Sequence, residues 1–63
     1  MTTTELTKRV EKSYREEFDR DFDSIHFDNE YKIAWVIDGN SQFSCFLNTR
    51  GVKKNSWRLD HYN

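Results

Sequence analysis

An α+β fold, with an N-terminal amphipathic helix packed on one face of a three-stranded antiparallel β-meander, is predicted by three features of the sequence. Leu6, Val10, Tyr14 and Phe18 recur every four residues, Tyr31 to Leu47 alternates around Asp38-Gly39-Asn40, and Trp57 and Leu59 alternate with Arg58 and Asp60. The first pattern has the period of a helix face and the other two have the period of strands. The chain has no proline, repeat or compositional break, so residues 1-63 read as one small domain.

The helix begins at about Thr3, because Thr2 and Glu5 have the spacing with which a hydroxyl and a carboxylate cap free amides. Glu5 with Arg9, Glu11 with Arg15 and Glu16 with Arg20 line its outside as i,i+4 pairs. The apolar stripe, which could extend to Phe22, reads as core. Between Arg20 and Ser24 the helix is expected to stop, since Asp19, Asp21 and Asp23 would stand at the negative end of its dipole. Ile25 and Phe27 alternate with His26 and Asp28, a pattern compatible with a short extended segment but too brief to decide one.

Tyr31, Ile33, Trp35 and Ile37, then Phe43, Cys45 and Leu47, flank the turn residues and define a β-hairpin. Two registers are open. A three-residue loop of Asp38, Gly39 and Asn40 pairs Trp35 with Phe43 and Ile33 with Cys45, which gathers the large apolar side chains on one face. A two-residue loop at Gly39-Asn40 separates Ile33 and Trp35 from Phe43 and Leu47, because a one-residue slip reverses every side chain. The three-residue loop is preferred on the ground that a single helix covers a single face. After a basic loop, the Trp57 segment returns beside the second hairpin strand.

Composition narrows the functional class. A chain of 63 residues buries only about 60% of the surface that its unfolded form exposes. Its ten aromatic rings supply one core with a few to spare. Ten basic and eleven acidic side chains nearly cancel, so any charge recognition is local. A lone cysteine, Cys45, points to a reducing compartment and hence to the cytoplasm. No apolar run approaches the roughly 18 residues that span a bilayer, so no membrane partner is expected.

Catalysis, metals and cofactors are not indicated. Cys45 with His26 or His61 contains the groups of a nucleophile and base, but Cys45 lies on the core-facing strand pattern, where a thiol acts as a small hydrophobe. One cysteine and two histidines at these spacings do not form a zinc site. Gly39 and Gly51 are isolated, so no Gly-rich phosphate loop exists. The carboxylates between Glu16 and Glu30 converge on no pocket. The chain is therefore read as a non-enzyme without cofactor.

Three surfaces remain. Glu16, Glu17, Asp19, Asp21, Asp23, Asp28 and Glu30 share one stretch with only Arg20 as a cation, either a solvated helix end or a docking patch for a basic partner. Arg50, Lys53, Lys54 and Arg58 form a basic segment that suits phosphate contacts or protects a sheet edge. The preferred register places Lys32, Ala34, Val36, Gln42, Ser44, Phe46, Arg58 and Tyr62 on the face away from the helix. That face reads as a partner surface, as one covered by Ile25, Phe27 or the C-terminal tail, or as a stacking platform for bases.

The favoured reading is a non-catalytic protein-binding module, an inhibitor, adaptor or accessory factor of the compact kind found in phages. It would use Glu16, Glu17, Asp19, Asp21, Asp23, Val36, Phe46, Arg58 and Tyr62. The alternative is nucleic-acid binding through Arg50, Lys53, Lys54 and Arg58 beside the aromatic face. Self-association through that face or an open edge is compatible with both.

Overall fold

Helix α1 spans Thr3–Phe18 in a computed structural model that describes residues 2–62, and of residues 61 and 62 the backbone. Its start follows the sequence: the Thr2 hydroxyl accepts the Glu5 amide at 3.1 Å, satisfying one of the free donors of the first turn. Its end comes at Phe18, before the expected limit. Asp19 takes a left-handed φ of 57° and donates its amide to the Arg15 carbonyl, which closes the last turn. Leu6, Val10 and Tyr14 are the buried residues of the stripe.

Five strands follow, where the sequence indicated three: β1 (Ser24–Phe27), β2 (Ile33–Asp38), β3 (Ser41–Asn48), β4 (Gly51–Val52) and β5 (Arg58–Tyr62). All pairings are antiparallel: β1 on β2, β2 on β3, and both β4 and β5 on the far side of β3. The helix-on-antiparallel-sheet class therefore holds. The uncertain segment 24–28 forms an edge strand over Ser24–Phe27.

The hairpin register is a correction. Asp38 pairs with Ser41, Val36 with Phe43, and Ala34 with Cys45, so the loop contains two residues, Gly39 and Asn40. Of these, only Gly39 has positive φ, at 62°, the sign pattern of a type II′ turn, whose twist matches that of the strands. Trp35 and Phe43 consequently lie on opposite faces. Val36, expected on the outer face, is fully buried under the helix, and Ala34 with it. Volume complementarity explains the outcome. The helix contributes large rings, and the strands beneath it contribute Ala34, Val36 and Cys45, which leave room for Tyr14, Phe18, Phe22, Phe43 and Trp57. A face carrying Ile33 and Trp35 as well would overfill the layer.

Tyr14 stands at the centre of this layer, fully buried, with ring centroids 4.7 to 5.7 Å from those of Phe18, Phe22, Phe43 and Trp57. Its hydroxyl donates to Asp38 Oδ2 at 2.6 Å. Arg20 grips the same carboxylate, Nε to Oδ2 at 2.7 Å and Nη2 to Oδ1 at 3.0 Å. Asp38 is the buried acid of the hairpin tip, and the two-residue turn is what aims it at the helix. Trp57 is anchored similarly, its Nε1 donating to Ser13 Oγ at 2.9 Å.

Two buried acids give the protein an alkaline limit. Desolvation pushes the Cys45 thiol up to about 12; the Tyr14 phenol is also raised, by desolvation first and then by its bond to the Asp38 carboxylate. In the unfolded chain these groups ionise near about 8.5 and about 10. The folded state thus keeps protons that the unfolded state releases, so stability is intact below pH about 8.5 and falls above it, by about 1.4 kcal/mol per pH unit for each group. Urea midpoints should be level from neutrality to that point and then decline, steepening past about pH 10. Cys45→Ala should delay the onset to the second threshold. A midpoint independent of alkaline pH would contradict both burials.

Gly51 lies where β4 passes α1. It has φ 118°, and a Cβ there would come within 2.9 Å of Arg9 Cδ. The Arg9 side chain can shift, but the backbone conformation is costly for any other residue. Gly51→Ala should therefore lower stability by about 1–3 kcal/mol in denaturant melts. An unchanged melt would show that the turn relaxes freely.

Candidate functional site

The sheet face opposite the helix follows from the same register. Strand neighbours Ile33 and Phe46, Trp35 and Ser44, and Ile37 and Gln42 point there from β2 and β3, with Ser24 and His26 from β1 and Arg58 from β5. Ile37 is 37% exposed and Phe46 42%, while Ile33 and Trp35 are partly exposed. The His26 ring lies 5.5 Å from the Trp35 ring, and a shallow depression is lined by His26, Trp35, Ile37 and Gln42. On the other flank Arg58 lies over Phe46, its Cζ 5.7 Å from the ring centroid, and its Nε reaches Asp60 at 3.3 Å and Ser44 Oγ at 3.4 Å.

No described segment covers this face. Ile25 and Phe27, considered as a cover, instead pair with Val36 and Ala34 and pack against the core from the helix side. The C-terminal segment joins the sheet edge as β5, with Tyr62 opposite Ser41; the Tyr62 side chain is outside the described residues. Phe46 and Arg58 thus stand where the sequence placed them, and Val36 does not. Ile33, Trp35, Ile37 and His26 were missed. Their signal was present in the Gly-first turn dipeptide and in the small side chains Ala34, Val36 and Cys45, which suit the floor of a helix layer better than its exterior.

The acidic stretch is largely committed to structure. Asp21 accepts two bonds from Arg15, at 2.6 and 3.0 Å. Asp23 accepts the Gly39 amide at 2.9 Å and donates its own amide to the Ile37 carbonyl, tying the entry of β1 to the hairpin tip. Asp28 accepts the amides of Lys32 and Ile33, which shapes the turn that holds Tyr31 at φ 56°. Glu30 pairs with Lys32 at 3.2 Å. Glu16, Glu17 and Asp19 are exposed and make no ion pair among the described residues.

The basic segment divides. Arg58 belongs to the outer face, whereas Arg50 and Lys54 line a groove beside α1; Lys53 is exposed in the same segment. Cys45 and His26 are not brought together: the thiol is buried on the helix side, and the imidazole is exposed on the other. Among the described residues, no group of three or more His, Cys, Asp or Glu could hold a metal, and no helix is long and apolar enough to cross a membrane.

Comparison with family models, curated proteins and solved structures gives no match.

Proposed function

We propose that this protein is a non-catalytic binding module whose working surface is the outer sheet face and whose partner is another protein. One observation carries the reading: Ile33, Trp35, Ile37 and Phe46 stand together on a face that no described segment covers. Two layers bury one sheet face, and a solvated second face ordinarily alternates to polar residues. Here it alternates to tryptophan, isoleucine and phenylalanine. An aromatic centre with an arginine at its margin has the composition in which interface energy concentrates. A partner with a matching apolar patch would bury Trp35 at the centre and leave Arg58, Asp60 and His26 at the rim.

Asp21, Asp23, Asp28 and Glu30 support hairpin and turn geometry rather than a separate contact, because they are already bonded within the chain; Glu16, Glu17 and Asp19 are exposed acids that keep the helix end solvated. A single nucleic-acid platform joining the basic loop to the aromatic face is less well supported, since Arg50 and Lys54 line a groove beside the helix and Phe46 faces the opposite way.

The test is affinity capture from cells of origin with the wild-type chain and with Trp35→Ala, followed by mass spectrometry and sedimentation. The reading expects one stoichiometric protein retained by the wild type and lost by the variant. Equal recovery with both baits, or a monomer that retains nothing, would overturn it; recovery of the chain itself would identify the partner as a second copy.

A further inference from the structure

Ion pairing sorts the ten Lys and Arg side chains into two sets. Arg15, Arg20, Lys32 and Arg58 each hold a carboxylate. Lys8, Arg9, Lys12, Arg50, Lys53 and Lys54 are in no ion pair among the described residues. The unpaired set comes from two short stretches far apart in sequence, and the fold brings them together. β4 packs against α1, and between them runs an open groove lined by Arg9, Lys12, Ser13 and Glu16 from the helix, by Val52 of β4, and by Arg50 and Lys54 from the turns on either side of that strand. Four cations and one carboxylate therefore face a single channel.

We infer that this groove binds the phosphate backbone of duplex nucleic acid, as a second surface independent of the outer sheet face. Two of its cations stand on α1, and the other two stand in the turns on either side of β4. Arg9 is fixed by donation from Nη1 to the Arg50 carbonyl at 2.8 Å, which leaves its remaining N–H groups for a ligand. Ser13 Oγ accepts from Trp57, so its own O–H is available to donate. These are phosphate-contacting groups, which set position without reading sequence. No aromatic ring lines the groove, so it lacks the stacking platform that favours unpaired strands. A duplex presents one negative charge per about 1.7 Å of axis, the densest regular array available to such a row. Glu16 is the one carboxylate of the lining and opposes an anionic ligand.

Fluorescence anisotropy with a labelled 20-base-pair duplex tests the inference, with a poly-L-glutamate of equal charge as a second probe. Full use of the four cations predicts a log-log salt slope of about −3.6, so affinity should fall by roughly 10²-fold between 50 and 200 mM salt. Lys12→Glu with Lys54→Glu should weaken binding at least tenfold and reduce the slope by about two, while Lys12→Arg with Lys54→Arg retains it and Glu16→Gln strengthens it. Circular dichroism of each variant separates lost binding from lost fold, and a doubly reversed variant that unfolds is replaced by Lys54→Glu alone. Trp35→Ala should leave duplex binding unchanged, which keeps this result separate from the protein-partner test. Absence of binding at 50 mM salt, indifference to both charge reversals, or equally tight binding of poly-L-glutamate would each overturn it.

Discussion

Tyr14→Ala is expected to leave the protein unfolded at 25 °C. The side chain is fully buried and contacts four other aromatic rings, so its truncation opens a cavity at the one place where helix, hairpin and β5 approach meet. Large-to-small changes of this kind cost about 3–5 kcal/mol. The Asp38 carboxylate also loses its phenolic donor, adding about 1–3 kcal/mol for a buried polar group left short of a partner. A domain of this length has in total only about 3–9 kcal/mol to lose. Tyr14→Phe retains the ring contacts and removes the hydroxyl alone, so it should fold with a loss of about 1.5–3 kcal/mol, the range for a hydrogen bond to a charged group. Arg20 moderates that loss from the solvent side, where screening keeps its own contribution small. Far-UV circular dichroism and urea titration followed by tryptophan fluorescence would measure both. A cooperative, near-wild-type transition for Tyr14→Ala would show that the core does not depend on this ring.

Trp35→Ala is expected to produce the opposite combination, a large loss of binding with little loss of fold. Trp35 stands on the face away from the helix, between His26 and Ser44 of the neighbouring strands, so its removal opens no internal cavity. Trp35 is half-buried among those neighbours, so stability should fall by about 1–2 kcal/mol, less than for a ring sealed in the core. An aromatic anchor at the centre of an interface typically contributes 2 kcal/mol or more, so affinity for the partner should fall by about 30-fold or greater. Phe46→Ala should show the same sign with a smaller magnitude, because Phe46 lies nearer the rim, under Arg58. Thermal melts and titration against the captured partner would separate the two effects. If Trp35→Ala instead collapses the fold while binding per folded molecule is unchanged, the face is structural.

These two tryptophan and tyrosine positions also show where sequence reading succeeded and where it stopped. Tyr14 was legible as core because a helix of known direction and period places it on one stripe with Leu6 and Val10. Trp35 was not placed correctly, because strand alternation defines two faces without saying which one the helix covers. Counting apolar residues favoured the face with Trp35 and Phe43 together. Packing chose the face whose strands offered small side chains to a helix rich in rings, and the Gly39-Asn40 turn is the local feature that agrees with that choice. The outer face expected from the sequence fell with the register: Val36 is sealed beneath the helix, and the apolar residues opposite the helix are Ile33, Trp35, Ile37 and Phe46.

The charged residues tell a similar story. That acids cluster from Glu16 to Glu30 is plain from the order of residues, but their tasks as hairpin clamp and turn former depend on where the Gly39, Lys32 and Ile33 amides lie in space. Likewise Arg9 and Lys12 look like ordinary helix-surface cations until β4 brings Arg50 and Lys54 beside them.

Local periodicity and capping chemistry are properties of neighbouring residues, so the order of amino acids alone determined the helix, the hairpin and the returning strand. Which face of the sheet is sealed, and which cations share a groove, depends on contacts between residues far apart in the chain. Only the packing of α1 against β2, β3 and β4 decided those, because the volume between layers and the distance between charges do not exist until the layers meet.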